Sequence, residues 1–552
     1  MDRIFRVEHA EGPGRDTSAA PAFQVAAARL RKCMLEHRHC EGGNTPSGTP
    51  LPQRVIDVGP PGGSQPLRLY PGEGLSDVYF TLSYRWDIEG FDRASFMTTK
   101  ANIRSYYFEI PEARLPQVMQ DAIRITREFG VRYLWIDALC IVQDSHKDWA
   151  CQAKEMAAIY KNSTLTIAAA ADTRDGEGLG CFRPRPQRRV RPVYCGMKWP
   201  DGSPVYLFAD RRVAGGGIRP RSVLDRRAWI LQEQLLSRRI LTYSDRGLLF
   251  WDCVATSASE SFPCGIPTFY DADLQHSELR LFKRSILQEW SHEGIDPNPA
   301  SLAAAKRQLY RHWRRVVEDY SARCLTYERD KLMALSGLAK EVADFVEDRL
   351  IFGLWEGQLW RELLWWVRER SAATIIDTFS TVTWTWAALQ GAVSFDLARS
   401  RVRGDVLDQC LVVRELVTRD NGTDQRHEND ANRGGNDEND LPIDGRNYGV
   451  LTVEGVMVPL LYPENQPEEA ALSVSYWRPD VSGIEEAEVT CLVVAASERV
   501  VYGIGLIPYP DSTNTYGRVG FVQWKGDVRD LGWNRVAKKW RRQANLEIFH
   551  IM

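Results

Sequence analysis

The chain has 552 residues, 44% of them hydrophobic and 26% charged, with a net charge of −3. That length predicts two or three domains, at least one with a full core, and the balance excludes disordered and fibrous classes. The slight negative charge argues against a whole-protein nucleic-acid role, and the absence of a run of ~18 apolar residues argues against a membrane span.

The N-terminal stretch has no apolar core of a signal peptide. The eleven cysteines are scattered and odd in number, so reduced thiols are the expected state. Asn162 and Asn421 head glycosylation patterns, but that chemistry needs the secretory route. These readings together predict a cytoplasmic protein.

In chain order, residues 1–20 read as mobile and 22–35 as a helix ending in CMLEHRHC. Cys33, His37, His39 and Cys40 are metal-ligating types. Their spacing fits no common zinc pattern, and four ligands so close in sequence crowd a tetrahedron. A helix end with polar tips, and no metal, is the reading. Residues 42–50 form a linker. Residues 51–58 and 67–70 read as short strands around a Pro/Gly turn. Residues 78–84 are a strong strand signal, followed by Arg85, Trp86 and Asp87.

Residues 115–130 read as a helix. Pro116 suits its first turn, Met119, Ala122, Ile123, Thr126 and Phe129 share a face, and Gly130 ends it. Residues 132–140 read as a strand, with Asp137 where it leaves the sheet. Asp148 takes the N-cap position of a helix running to Lys161. Residues 164–171 are nearly all apolar, as in a strand covered on both faces. Three strands and two crossovers predict a doubly wound α/β sheet with parallel strands. Ligands in such sheets bind beyond the carboxyl ends of the strands. Ser83, Tyr84, Arg85 and Trp86 fall there, near Asp137 and Asp172, and Gln143, Asp144 and His146 lie by the same edge.

The arginines of 183–192 read as a solvated loop. Residues 224–236 read as a helix with Asp225 at its cap, followed by strands at 239–244 and 248–253. Residues 301–324, 331–347 and 354–368 show helical periodicity. The tryptophans of this middle third predict a well-packed helical layer, with Trp384 and Trp386 marking a buried turn or strand. Residues 419–447 have almost no apolar content and read as disordered. Strands are predicted at 449–461, 489–495, 499–507 and 517–523. The domain reading is an N-terminal helical and linker segment (1–50), an α/β domain (51–264), a mainly helical region (265–400) and a β-rich region (401–552) holding the insert.

Three blocks carry most of the functional information: LSYRW (82–86), YLWIDALCIVQDSHKDWACQAKEMAAIY (133–160) and RAWILQEQLLSRRILTYS (227–244). Together they resemble the heterokaryon incompatibility (HET) domain of filamentous fungi, whose pattern runs LSYxWG, WIDxLCIxQDxxxDWxxExxxMxxIY and RxWTxQExLLSxRxLxF. Ile230 stands where the third block usually has Thr, and Asp87 where Gly usually follows Trp86. The resemblance implies a Toll/interleukin-1 receptor/resistance (TIR)-like, flavodoxin-like parallel sheet. It implies a role in non-self recognition, programmed cell death and innate immunity. By further analogy with TIR domains that cleave NAD, Glu233 is the expected catalytic carboxylate.

The chemistry that analogy requires can be stated on its own terms. Breaking the bond to nicotinamide builds positive charge on the ribose, which a fixed carboxylate stabilises. Tyr84, Trp86 and Trp229 are the aromatics that would stack on the rings. Arg85 or Arg227 would pair with the pyrophosphate. Ser83, Asp137 and Gln232 complete the expected NAD-contacting set, with NAD as substrate rather than cofactor. Alternative roles stay open: Glu233 paired with Arg227 or Arg239, Asp137 as a cap, and Trp86 and Trp229 as core. A non-enzymatic module that self-associates or docks a protein partner is the alternative function. A Cys140–His146–Asp144 nucleophile is disfavoured because a thiol inside an apolar strand is inert.

Overall fold

The apolar runs at 79–83, 165–170 and 239–244 become central strands because each is buried along its whole length, as parallel strands sandwiched by helices must be. The computed structural model describes residues 16–40, 48–60, 65–86, 95–170, 180–184, 193–198, 204–207, 222–245, 247–260, 265–266, 274–287, 298–369, 373–376, 382–395, 408–409, 412–419, 448–459, 474–480, 489–496, 500–508, 515–525 and 547–552. Asp87, Asp172, the arginines of 185–192 and the insert 420–447 lie outside them. The chain divides into two units, Met1–Trp313 with Met333–Phe345, and Arg314–Leu332 with Val346–Met552.

In the first unit, eight strands form one sheet: β1 (Arg54–Asp57), β2 (Arg68–Pro71), β3 (Tyr79–Ser83), β4 (Tyr133–Trp135), β5 (Leu165–Ala170), β6 (Arg239–Ser244), β7 (Leu249–Cys253) and β8 (Ser257–Ser259). Their order is β8-β7-β6-β5-β3-β4-β1-β2. β3 lies parallel to β4 and β5, and β5 parallel to β6, while β1/β2, β1/β4, β6/β7 and β7/β8 are antiparallel. The expected parallel α/β core is therefore present, bordered by antiparallel strands. Chain direction across the sheet reverses at β3, so the crevice beyond the carboxyl ends of β3 and β5 is the place where such sheets bind ligands.

Five helices matter for the site: α1 (Ala20–Glu36), α2 (Gln117–Glu128), α3 (Asp137–Cys140), α4 (His146–Asn162) and α5 (Ala228–Leu236). α2 ends where Gly130 takes φ +70°, a conformation glycine tolerates without steric cost. Several local expectations are corrected. The strand expected over 132–140 stops at Trp135, and Asp137 opens a single helical turn. Asp148 is not the N-cap of α4. Ser145 takes that place, its hydroxyl accepting from the Asp148 N–H at 3.5 Å, while the Asp148 carboxylate accepts from Arg54 at 2.6 Å and from the Val142 N–H at 2.8 Å. The helix expected over 224–236 breaks at Arg227, whose extended backbone separates a 3₁₀ turn capped by Ser222 from α5.

The second unit carries another eight-stranded sheet, mainly antiparallel, built from strands that include Tyr448–Pro459, Thr490–Ala496, Val500–Pro508 and Thr515–Lys525, as expected. Residues 354–368 are not one helix. They form a strand (Leu354–Trp355), one helical turn (Leu359–Glu362) and a second strand (Trp365–Val367). Gly353 at φ +87° allows the chain to turn closely against Trp386. Trp355, Trp365, Trp384 and Trp386 are fully buried; the first two sit on short strands and the last two in a buried turn, as expected, with Trp386 packed edge-on against Tyr320 at the end of the helix Pro299–Tyr320.

Candidate functional site

β3 ends at Ser83, and the next three residues leave the sheet at the reversal point. Trp86 Nε1 donates to Asp137 Oδ2 at 2.5 Å, and Asp137 Oδ1 accepts from the Ala138 N–H at 2.7 Å. The turn that carries Asp137 is clamped from below by buried Thr98. Its N–H donates to Ala138 O at 3.0 Å, its hydroxyl donates to Leu139 O at 2.6 Å, and its carbonyl accepts from the Gln143 N–H at 2.8 Å. Gln143 Nε2 closes the loop by donating to Asp137 O at 2.9 Å. Thr98 lies in a segment that carries no periodicity, which is why the sequence did not single it out.

Glu233 approaches the same place from α5. The Ser237 hydroxyl donates to Glu233 O at 2.6 Å and meets Thr166 Oγ1 at 2.6 Å, which in turn meets Thr81 Oγ1 at 2.7 Å. This row of buried hydroxyls ties the end of α5 to β5 and β3 and sets the helix in register with the sheet. Tyr160, on α4, donates its hydroxyl to Leu82 O at 3.2 Å and stands beside the Glu233 carboxyl. Tyr160 lies on the buried face of α4 with Ala153, Met156 and Ile159, where periodicity marks the ring as core and is silent on its hydroxyl.

The Glu233 side chain is 6% exposed. Burial pushes its carboxyl up to about 7. The Ser83 hydroxyl, the Arg227 charge and the Tyr160 hydroxyl pull it down, while the Asp137 carboxyl pushes it further up. Burial likewise raises Asp137, against the pull of the Trp86 and Ala138 N–H groups and the Arg227 charge. Tyr84 is raised well above its ordinary range by burial and by Asp137. The expected group of Ser83, Tyr84, Trp86, Asp137, Arg227 and Glu233 is therefore one electrostatic cluster.

Ser83 Oγ, Tyr84 OH and Glu233 Oε2 of this cluster, and Arg85 Nε next to it in the chain, are buried atoms with no hydrogen-bond partner among the described residues. Ser83 and Tyr84 are close enough to act on the carboxyls, yet neither hydroxyl closes a bond of good geometry. Buried polar atoms are nearly always satisfied, so three left open in one cluster call for an explanation.

Other expected members fall elsewhere. Gln232 Oε1 accepts from the Gly337 N–H at 3.2 Å, at a helix crossing where a Cβ on Gly337 would come within 2.3 Å of Ala157 Cβ. Gln232 therefore faces a packing contact and not the cluster. Trp229 is half-buried, one turn before Glu233. Arg227 Nη1 donates to Tyr84 O at 3.4 Å and acts on Glu233 from beyond ion-pair distance. Arg239 is turned to Thr164 O, Cys40 O and Cys33 Sγ, so it does not neutralise Glu233. Asp144 accepts from the Lys100 N–H, and the His146 ring lies by Trp149. Cys140 is sealed from solvent with its thiol pushed up to about 12 by burial, so no Cys–His–Asp nucleophile forms.

With that geometry in place, comparison with known proteins gives one match: residues 79–233 fit the family model of heterokaryon incompatibility protein (HET). The matched span starts in β3 and ends at Glu233, so it contains every member of the cluster. No curated protein and no solved structure matches the chain. No described helix is long and apolar enough to cross a membrane.

Proposed function

We propose that the HET region acts in fungal heterokaryon incompatibility as a TIR-like module that triggers cell death by hydrolysing NAD, with Glu233 as the catalytic carboxylate. The observation that carries this reading is the set of buried, unpartnered polar atoms on Ser83, Tyr84, Arg85 and Glu233 at the sheet's reversal point. A polar ligand carrying hydroxyl and phosphate oxygens would complete them. The match to the HET family supports the biological setting, and the parallel strand order supports the TIR-like reading.

In this mechanism Glu233 accepts from the ribose hydroxyls and faces the anomeric carbon. The N-glycosidic bond breaks, and nicotinamide leaves with the bonding pair as a neutral molecule. Water adds to the oxocarbenium-like centre and loses a proton, giving ADP-ribose. The charged carboxylate is needed to stabilise that centre. Burial pushes the Glu233 carboxyl up to about 7, so the cationic nicotinamide ring would favour its ionisation on binding. Arg85 and Arg227 are the guanidinium groups available to the pyrophosphate.

The test is nicotinamide release from NAD by the purified full-length chain. The Glu233→Gln variant should lose about 10²–10³-fold in rate, the scale for removing one preorganised electrostatic group. kcat/KM of the wild type should rise with pH through about 7, because the ionised carboxylate is the active form. NAD loss that persists unchanged in Glu233→Gln removes the mechanism. No consumption even when the chain is forced to oligomerise replaces it with a non-enzymatic module that works by self-association or docking.

A further inference from the structure

The N-terminal helix ends at a cluster that the proposed function does not use. Cys33 lies in the last turn of α1, and His37 is the residue that follows its end. Cys40 closes the 3₁₀ turn after it, and Cys253 is the last residue of β7. The Sγ atoms of the three cysteines and a ring nitrogen of His37 all lie within 4.8 Å of one another. His39, the other histidine of this stretch, is exposed and takes no part. From these donors we infer that the chain carries a structural zinc site of Cys₃His type, with Cys33, His37, Cys40 and Cys253 as ligands.

Three observations support this assignment independently of spacing in the sequence. The first is the distance set. Tetrahedral zinc with Zn–S of about 2.3 Å and Zn–N of about 2.0 Å puts its ligand atoms roughly 3.5–3.8 Å apart. Cys253 Sγ and His37 Nδ1 are separated by 3.5 Å. The second is the ligand chemistry. All three thiols are buried, with no disulfide among them, and thiolate with imidazole is the donor set that favours zinc over the oxygen-seeking cations.

The third is the surrounding shell. Arg239 Nε donates to Cys33 Sγ at 3.3 Å while its Nη2 holds Cys40 O at 2.6 Å. The Thr256 N–H donates to Cys253 Sγ at 3.3 Å. Three thiolates and a neutral imidazole around a dication leave one net negative charge. A buried guanidinium and backbone N–H groups aimed at sulfur are what stabilise such a charge. The buried Arg239, 1% exposed, makes no ion pair among the described residues, and the metal–thiolate charge gives it one to face.

The site would staple the end of α1 to β7, joining positions 216 residues apart in the chain. No preformed site exists in the unfolded chain, so the binding free energy becomes folding free energy. Bound metal would thus hold the N-terminal segment against the antiparallel side of the sheet.

The test uses the full-length chain, expressed with zinc and purified under reducing conditions, with metal content measured by mass spectrometry. About one zinc per chain should survive gel filtration. Cys253→Ala should abolish retention. His37→Cys, made in the otherwise wild-type chain, should keep it by supplying a fourth thiolate, and Cys151→Ser, at an exposed thiol on α4, should leave it unchanged. Cobalt exchanged into the wild type should show thiolate-to-metal charge transfer and the strong visible bands of a tetrahedral site. A chelator should lower the thermal midpoint of the wild type and leave that of Cys253→Ala unchanged. Zinc no higher in the wild type than in Cys253→Ala, a disulfide among the three thiols under reducing purification, or octahedral cobalt bands would each overturn the assignment.

Discussion

Each unit of the chain buries a glutamate, and the two are treated in opposite ways. In the second unit Glu362 is fully buried and accepts from Arg314 at 2.8 Å, with the arginine side chain itself 6% exposed. In the first unit Glu233 is also buried, but among the described residues no ion pair reaches it; each carboxyl leaves its Oε2 without a hydrogen-bond partner, so the ion pair is what separates them. Burial raises both carboxyls, Glu362 to about 6 and Glu233 to about 7, and Arg314 pulls Glu362 back down. The second unit repeats its solution elsewhere, where Arg518 pairs with buried Asp480 at 2.9 Å. A charge that is neutralised on the spot reads as architecture. An acid kept buried with its charge unpaired is costly to the fold, and that cost makes sense where a ligand supplies the missing interactions.

The contrast is sharpest when each site loses one group. Arg314→Ala leaves Glu362 buried without its cation, and stability should fall by about 3–5 kcal/mol, the usual cost of orphaning one member of a buried pair. Urea unfolding of the full-length chain measures it. A loss below about 1 kcal/mol, the range of exposed pairs, would show that Glu362 is solvated and would dissolve the comparison.

Glu233→Gln should behave in the opposite sense. A carboxyl whose folded pKa lies above its unfolded value contributes stability that is complete below the unfolded pKa, here about 4.5, and is lost as pH rises through about 7. The amide carries no such penalty. Relative to wild type, Glu233→Gln should therefore gain stability between pH 5 and pH 8, by on the order of 2 kcal/mol. Unfolding midpoints at the two pH values test the sign. A variant that loses stability on going to pH 8 would mean that Glu233 is paired in its charged form, like Glu362.

Part of this arrangement was legible in the sequence. The parallel strands announced themselves as short β-prone runs, nearly all apolar over 164–171, and topology alone then brought Ser83 to Trp86 towards Asp137. Other features were closed to it for identifiable reasons. Gln232 and Glu233 are neighbours on α5, where Ile230, Leu231, Leu235 and Leu236 are all buried too. With so little exposed face, periodicity could not tell which polar side chain met the cluster and which met Gly337. Ser145 rather than Asp148 caps α4 because Asp148 is taken by Arg54, a partner 94 residues away. The ligand set of the proposed zinc site failed the local spacing rule because its fourth member, Cys253, lies 216 residues beyond His37 in the chain. His39, which the local reading had included, points elsewhere.

Asp137 stands between the two glutamates and offers the finest test. It has no direct ion pair among the described residues. Neutral donors hold it instead, the Trp86 indole N–H at 2.5 Å and the Ala138 N–H at 2.7 Å. Trp86→Phe keeps most of the ring and deletes one donor. Trp86 is half-exposed, so water can replace part of what is lost, and the cost should be about 1 kcal/mol. The indole favours the charged carboxylate, so its removal should push Asp137 further up. The cost must then grow as pH rises through the titration of Asp137 and shrink in acid. Trp135→Phe supplies the control: its indole nitrogen has no partner among the described residues, so whatever it costs in packing should not vary with pH. Equal costs for Trp86→Phe at pH 4 and pH 8 would mean that the short contact carries no charge-dependent energy. Asp137 would then be held by the rest of its neutral shell, the Ala138 N–H first, and the indole would serve only to pack.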